Sequence, residues 1–178
     1  MKKTILSISF AILLFSCSKK ETVADKDADK KFDSYKEYFV NELWKTSPEW
    51  ASSQGFHKYD SVLVIPDAGN RDRQLSFSKT HLDSLQNYTL ESLSDNNKTD
   101  YHMMKNLLDS YSFSINEMKS FEWDPSGYNV SGSFAEILNG NYDSLENRLR
   151  NFSLKLKNIP AYYEAAVSYT HLTLPTKR

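Results

Sequence analysis

Phe32-Asp33-Ser34-Tyr35-Lys36-Glu37-Tyr38-Phe39-Val40-Asn41-Glu42-Leu43-Trp44 decides the fold class. Phe32, Tyr35, Phe39 and Leu43 recur at spacings of three and four, and Val40 and Trp44 widen the stripe. That period puts the apolar side chains on one face of an α-helix and leaves the charged ones opposite. Ser47-Pro48 follows, an N-cap type before a proline suited to the first helical position, and Gly55 stands where a C-cap would. Glu49 to Gln54 is then a short second helix.

The same reading extends outward. Phe56 to Pro66 is a loop holding Val62-Leu63-Val64-Ile65, a buried extended stretch or a lone strand. A third helix starts after Pro66-Asp67, with Leu75, Phe77, His81, Leu82 and Leu85 along it. A fourth follows Ser94 as N-cap, its wide apolar face running from Tyr101 through Met104 and Leu108 to Met118. Trp123-Asp124-Pro125-Ser126-Gly127 is a turn cluster. Phe134 to Leu138 forms a fifth helix ended by Asn139-Gly140. Leu145, Leu149, Phe152 and Leu156 mark a sixth, and Pro160 opens a seventh. No alternation is long enough for a sheet, so the expected class is all-α, an irregular multi-helix array.

The composition fits one folded unit. The chain has 178 residues, 39% of them hydrophobic, with 5 Gly and 5 Pro, which excludes a disordered or fibrous chain. A single cysteine excludes a disulfide framework and a cysteine-built zinc site. The formal net charge is −1, and acids outnumber bases between the flanks. Without a basic stripe, nucleic acid is not an expected partner.

Both flanks read differently from the middle. Met1-Lys2-Lys3 is cationic, Thr4 to Phe15 is uncharged and apolar, and Leu14-Phe15-Ser16-Cys17 precedes a polar stretch. This is the pattern of a secretory signal, too short to span a bilayer. It resembles a bacterial lipobox, which implies a signal peptide over 1–16 and lipidation at Cys17. Several acyl chains on that residue would anchor the protein stably to the membrane of the bacterial envelope. Residues 17–31 are expected to be a flexible, charged tether, and 32–166 the helical segment. Residues 167–178 are expected to be non-native: Val167 to Thr176 resembles the translated end of a sequencing-library adapter, which leaves the family domain truncated near Ala166.

Catalytic motifs are sparse. There is no Gly-rich phosphate loop, no Gly-x-Ser-x-Gly elbow and no His-Glu-x-x-His. Asp100 and His102 stand two apart on a helix and point in different directions, so His102 reads as a capped or partly buried core histidine. Two clusters are candidates for lining a cleft. His57-Lys58-Tyr59-Asp60 gathers base, phenol and acid, as general acid–base sites do and as solvated turns also do. Trp123 and Tyr128 lie on a loop with Gly127 and Gly132, suited to a channel wall or to a loop pinned to the core. The candidates are therefore His57, Tyr59, Asp60, Trp123 and Tyr128.

Several stretches carry a family resemblance. They are Ser47-Pro48-Glu49-Trp50, Gly55 to Asp60, Arg71 to Leu75, Thr99-Asp100-Tyr101-His102, Trp123-Asp124-Pro125 with Tyr128-Asn129-Val130, Phe134 to Gly140, Leu145 to Leu149, and Ile159 to Tyr163. Residues 32–166 resemble the N-terminal part of the bacterial family catalogued as domain of unknown function 885. The resemblance implies a longer, largely helical, zincin-like exported lipoprotein whose C-terminal half carries a His-Glu pair and a Gly-His-His segment. It implies zinc in the full-length protein, no cofactor, metal ligand or catalytic residue in this segment, and a peptide or small molecule as substrate. The expected function is thus the non-catalytic N-terminal part of an envelope-anchored, metallopeptidase-like hydrolase. The alternative is a small helical lipoprotein that binds or supports a partner without catalysis.

Overall fold

A computed structural model describes residues 25–170, excluding the side chains of the last two; Cys17 and the segment 1–16 lie outside the described residues. The elements are α1 (Lys26–Thr46), α2 (Pro48–Ser53), α3 (Ala68–Leu85), α4 (Asp95–Phe113), α5 (Ser120–Trp123), α6 (Ser131–Asn139), α7 (Leu145–Leu156) and α8 (Ile159–Thr170), with single 3₁₀ turns between some of them. No strand occurs among the described residues. The chain is all-α, as the periodicity predicts.

The first helix starts earlier than its apolar stripe. Asp25 caps it, accepting from the backbone N–H groups of Asp27 and Ala28. The expected flexible tether is thus helical from Lys26, a correction with a local cause. Asp29, in the first turn, accepts from Ser94 N (2.8 Å) and Asn97 Nδ2 (2.9 Å). Those two bonds fasten the start of α1 to the start of α4. They also hold the Asp29 carboxyl below its usual pKa.

Above that clasp lies the main core. Phe32, Phe39 and Leu43 of α1 meet Leu85 of α3, Leu93, and Met104 and Leu108 of α4. Phe32 is fully buried, with the Tyr88 ring edge-on at 5.0 Å. Tyr35, Trp44, Phe77 and Tyr101 close the rim. The stripe that decides the fold class is the one the core is built on, except for Val40, which stays 39% exposed.

Capping explains the breaks. Ser47 gives no side-chain cap bond; its N–H closes α1 on the Leu43 carbonyl and its own carbonyl accepts from Ala51 N to open α2. Gly55 takes φ +83°, and with Gly55 N on Ser52 O and Phe56 N on Ala51 O it forms a Schellman ending. Helix α4 widens into a π turn at Ser114–Met118 and stops at left-handed Lys119, and Met118 there is 48% exposed. Val62 to Ile65 is neither helix nor strand, and of the four only Leu63 is buried.

Helix α7 corrects the sequence reading most sharply. Leu145, Leu149 and Leu156 are 58%, 45% and 48% exposed, while Lys155 is 1% exposed. Phe152 contacts Phe134 of α6 edge-on at 5.0 Å, and that contact turns the leucine row to solvent. A second, smaller core joins Leu63, Tyr128, Tyr162 and Ala166. Helix α8 runs to Thr170, across the boundary expected at residue 166.

Among the histidines, His81 is the core residue and His102 is exposed, packed only edge-on against Tyr101. His81 lies among Tyr35, Phe39 and Phe77, with the Tyr35 hydroxyl 2.9 Å from its Nδ1. Burial pushes the Tyr35 hydroxyl to about 12 and lowers the His81 pKa. A depressed histidine pKa stabilises the fold above the unfolded value of about 6.5 and loses that contribution as pH falls toward the folded value. Thermal unfolding from pH 7.5 down to 5 should therefore show a decline in stability that is smaller in His81→Phe. An identical decline in both proteins contradicts this assignment.

Candidate functional site

The His57–Asp60 turn is not a solvated loop. The Schellman ending of α2 folds it back over the helix, and Asp60 is 1% exposed. The Asp60 carboxylate accepts from Ser52 Oγ on one oxygen and from the Tyr142 hydroxyl on the other. His57 Nδ1 lies 3.2 Å from that second oxygen, without hydrogen-bond alignment. The His57 ring instead stacks on Tyr142, with centroids 3.3 Å apart and planes within 2°.

Tyr142 reaches this turn from the α6–α7 connection. A Cβ on Gly140 would stand 2.5 Å from the Tyr142 ring, so the glycine is required by the ring that folds over it. Its own φ of −65° shows that it is not a left-handed cap. Burial, together with the bond to Asp60 and its charge, raises the Tyr142 hydroxyl far above the usual tyrosine range. Lys155 completes the cluster. Its Nζ lies 5.7 Å from the Phe134 centroid. Burial lowers its pKa, while the charges of Glu49 and Asp60 pull the other way.

The structure thus unites His57 and Asp60 and adds Ser52, Tyr142 and Lys155. Tyr59 faces another way: it packs on Phe56 at 5.9 Å, with Lys58 Nζ 5.6 Å from its ring centroid. The Trp123 loop is also separate. Trp123 is 60% exposed, its indole N–H donating to the Met118 carbonyl at 2.9 Å. Tyr128 is buried in the second core, donates to the Phe121 carbonyl at 2.6 Å and edges a shallow hollow with Tyr163.

Beside the turn runs a groove the sequence did not announce. One part, about 510 Å³, has Val62 to Ile65 as its floor, with Lys45 and Arg73 on its rim. The other, about 450 Å³, is lined by Glu49, Trp50, Gln74 and Tyr162 among others. Thr46, Val64 and Asn70 border both, so the two adjoin.

A zinc site does not fit here. Among the described residues no three His, Cys, Asp or Glu side chains gather as ligands. His57 and Asp60 make a pair, and that carboxylate is already committed to Ser52 and Tyr142. No helix among the described residues is long and apolar enough to cross a membrane.

The family model of bacterial proteins of unknown function called DUF885 matches residues 48–175, and the chain belongs to that family. The match begins inside α2 and runs past residue 166. A solved structure from Shewanella oneidensis, provisionally described as a lipoprotein of unknown function, is similar at 42% identity and a TM-score of 0.76. The likeness covers 78% of this chain but 26% of that one, so this chain spans about a quarter of the structure it matches. No curated protein matches.

Because burial outweighs the charges of Glu49 and Asp60 at Lys155, its ammonium is a net cost to the folded state. Lys155→Met should leave stability unchanged or raise it in chemical denaturation at pH 7. A clear loss would show that the ammonium supports Asp60.

Proposed function

We propose that this chain is the helical N-terminal wall of a lipid-anchored, metal-dependent hydrolase of the peptidase type. Membership of the DUF885 family, with likeness to a much longer protein described as a lipoprotein, is the observation that carries it. Leu14 to Cys17 supplies the anchor in this reading, with Cys17 lipidated and the protein held at the bacterial envelope. Zinc, and the His-Glu and Gly-His-His residues that would hold it, belong to parts of the family domain outside the described residues. The substrate is a peptide or small molecule. The helices contribute a rigid wall, and no catalytic step is assigned to their residues.

A second reading is a lipoprotein that binds a ligand without chemistry, and the groove beside Val64 favours it. Reading the source gene through codon 167 with a different library chemistry separates the two. The hydrolase reading expects a His-Glu and Gly-His-His segment downstream and stoichiometric zinc in the encoded protein. A frame without that segment contradicts it. For the anchor, palmitate labelling should mark the protein, and Cys17→Ser should abolish the label and release the protein from the membrane fraction. Persisting label on the variant contradicts the assignment of Cys17.

A further inference from the structure

The groove floor has an unusual property. Val62 N donates to the Tyr59 carbonyl and Asp67 N to the Ile65 carbonyl, but between these bonds the main chain makes none. The N–H groups of Leu63, Val64 and Ile65 and the carbonyls of Val62, Leu63 and Val64 have no partner among the described residues. Backbone groups are obligatory hydrogen-bonding groups, and a run of them at the surface is a template for another chain. Pro66 biases Ile65 toward the extended region. All four residues from Val62 to Ile65 line the groove.

A second observation points into the same groove from its other end. Tyr162 is only 8% exposed and lines the groove, yet its hydroxyl meets no hydrogen-bond partner among the described residues. Burial raises this hydroxyl to about 12, so it stays a donor at physiological pH. Glu49 and Gln74, beside it, likewise make no hydrogen bond or ion pair within the described structure. Glu49 stands at one end of the groove, and Lys45, Asp67 and Arg73 line the other. Lys45 pairs with Glu42, whereas Arg73 contacts only the Asn70 carboxamide, at 3.5 Å.

We propose that this groove binds an extended polypeptide segment, main chain to main chain along Leu63–Ile65. The cationic end of the peptide lies at Glu49. A peptide backbone offers alternating donors and acceptors, and strand addition of this kind draws affinity from main-chain bonds. The Tyr162 hydroxyl and the Gln74 carboxamide supply further donors at the Glu49 end. The inference stands apart from the hydrolase reading, because binding is read without turnover. Binding by this chain together with an inert whole protein would keep the one and remove the other.

The test is an amide NMR titration of the full ¹⁵N-labelled chain with the pentapeptide Lys-Thr-Val-Thr-Asp and with its backbone N-methylated analogue. The expected result is saturable shifts centred on the amides of Leu63, Val64 and Ile65, with the N-methylated peptide binding at least about tenfold more weakly. Val64→Pro removes a floor donor at an unpaired position and should weaken binding while leaving the spectrum of α1 and α4 unchanged. Glu49→Lys should reverse the preference toward the peptide with its terminal charges exchanged. No shift at millimolar peptide, equal binding of the N-methylated analogue, or shifts confined to the Trp50 indole would each overturn the proposal.

Discussion

The buried carboxylate of Asp60 is the constraint on which the arrangement beside the main core depends. A carboxylate at 1% exposure is tolerated only if its oxygens are bonded and its charge is answered. Ser52 comes from α2, His57 from the turn itself and Tyr142 from the α6–α7 connection. Meeting one carboxylate therefore fixes where the α6–α7 connection sits against α2. It also fixes the path by which the chain leaves Asp60 and presents Val62 to Ile65 along the groove.

The main core works by a different physics. Phe32, Phe39, Leu43, Met104 and Leu108 interlock as apolar groups, and area removed from water drives them together. Direction comes from polar contacts at its edges: Asp29 on Ser94 and Asn97 and Lys36 on Asp100 set α1 beside α4, and Tyr35 on His81 sets it beside α3. The hydrophobic unit thus gives bulk stability, and the polar cluster at Asp60 supplies registry for the helices beside it.

That division explains what could be read from the sequence. The stripe from Phe32 to Leu43 and the caps at Ser94 and Gly55 follow from local rules, whereas the short helix α5 that ends at Trp123 stands where a turn was expected to begin. Periodicity failed at α7, because Leu145, Leu149 and Leu156 form a perfect stripe while the tertiary contact is made by Phe152 and Lys155. The tether expectation failed at Lys26, because charge was read as solvation where Asp25 and Asp29 were capping and clasping. At the candidate site, His57 and Asp60 were visible as a local cluster, but Tyr142 lies 82 residues from Asp60. Gly140 was the one local signal for Tyr142, and it looked like an ordinary helix ending. Nothing in the sequence marks the unpaired main chain of Val62 to Ile65, since pairing is a property of what lies alongside.

The account therefore turns on Asp60 bonding Tyr142 across the fold. A double-mutant cycle with Asp60→Ala and Tyr142→Phe, measured by chemical denaturation of the full chain, tests that bond directly. A hydrogen bond to a buried charge predicts a coupling energy of about 1–3 kcal/mol between the two sites. Additive effects, with no coupling beyond about 0.3 kcal/mol, would mean that Asp60 does not hold the α6–α7 connection, and the registry argued from it would fail.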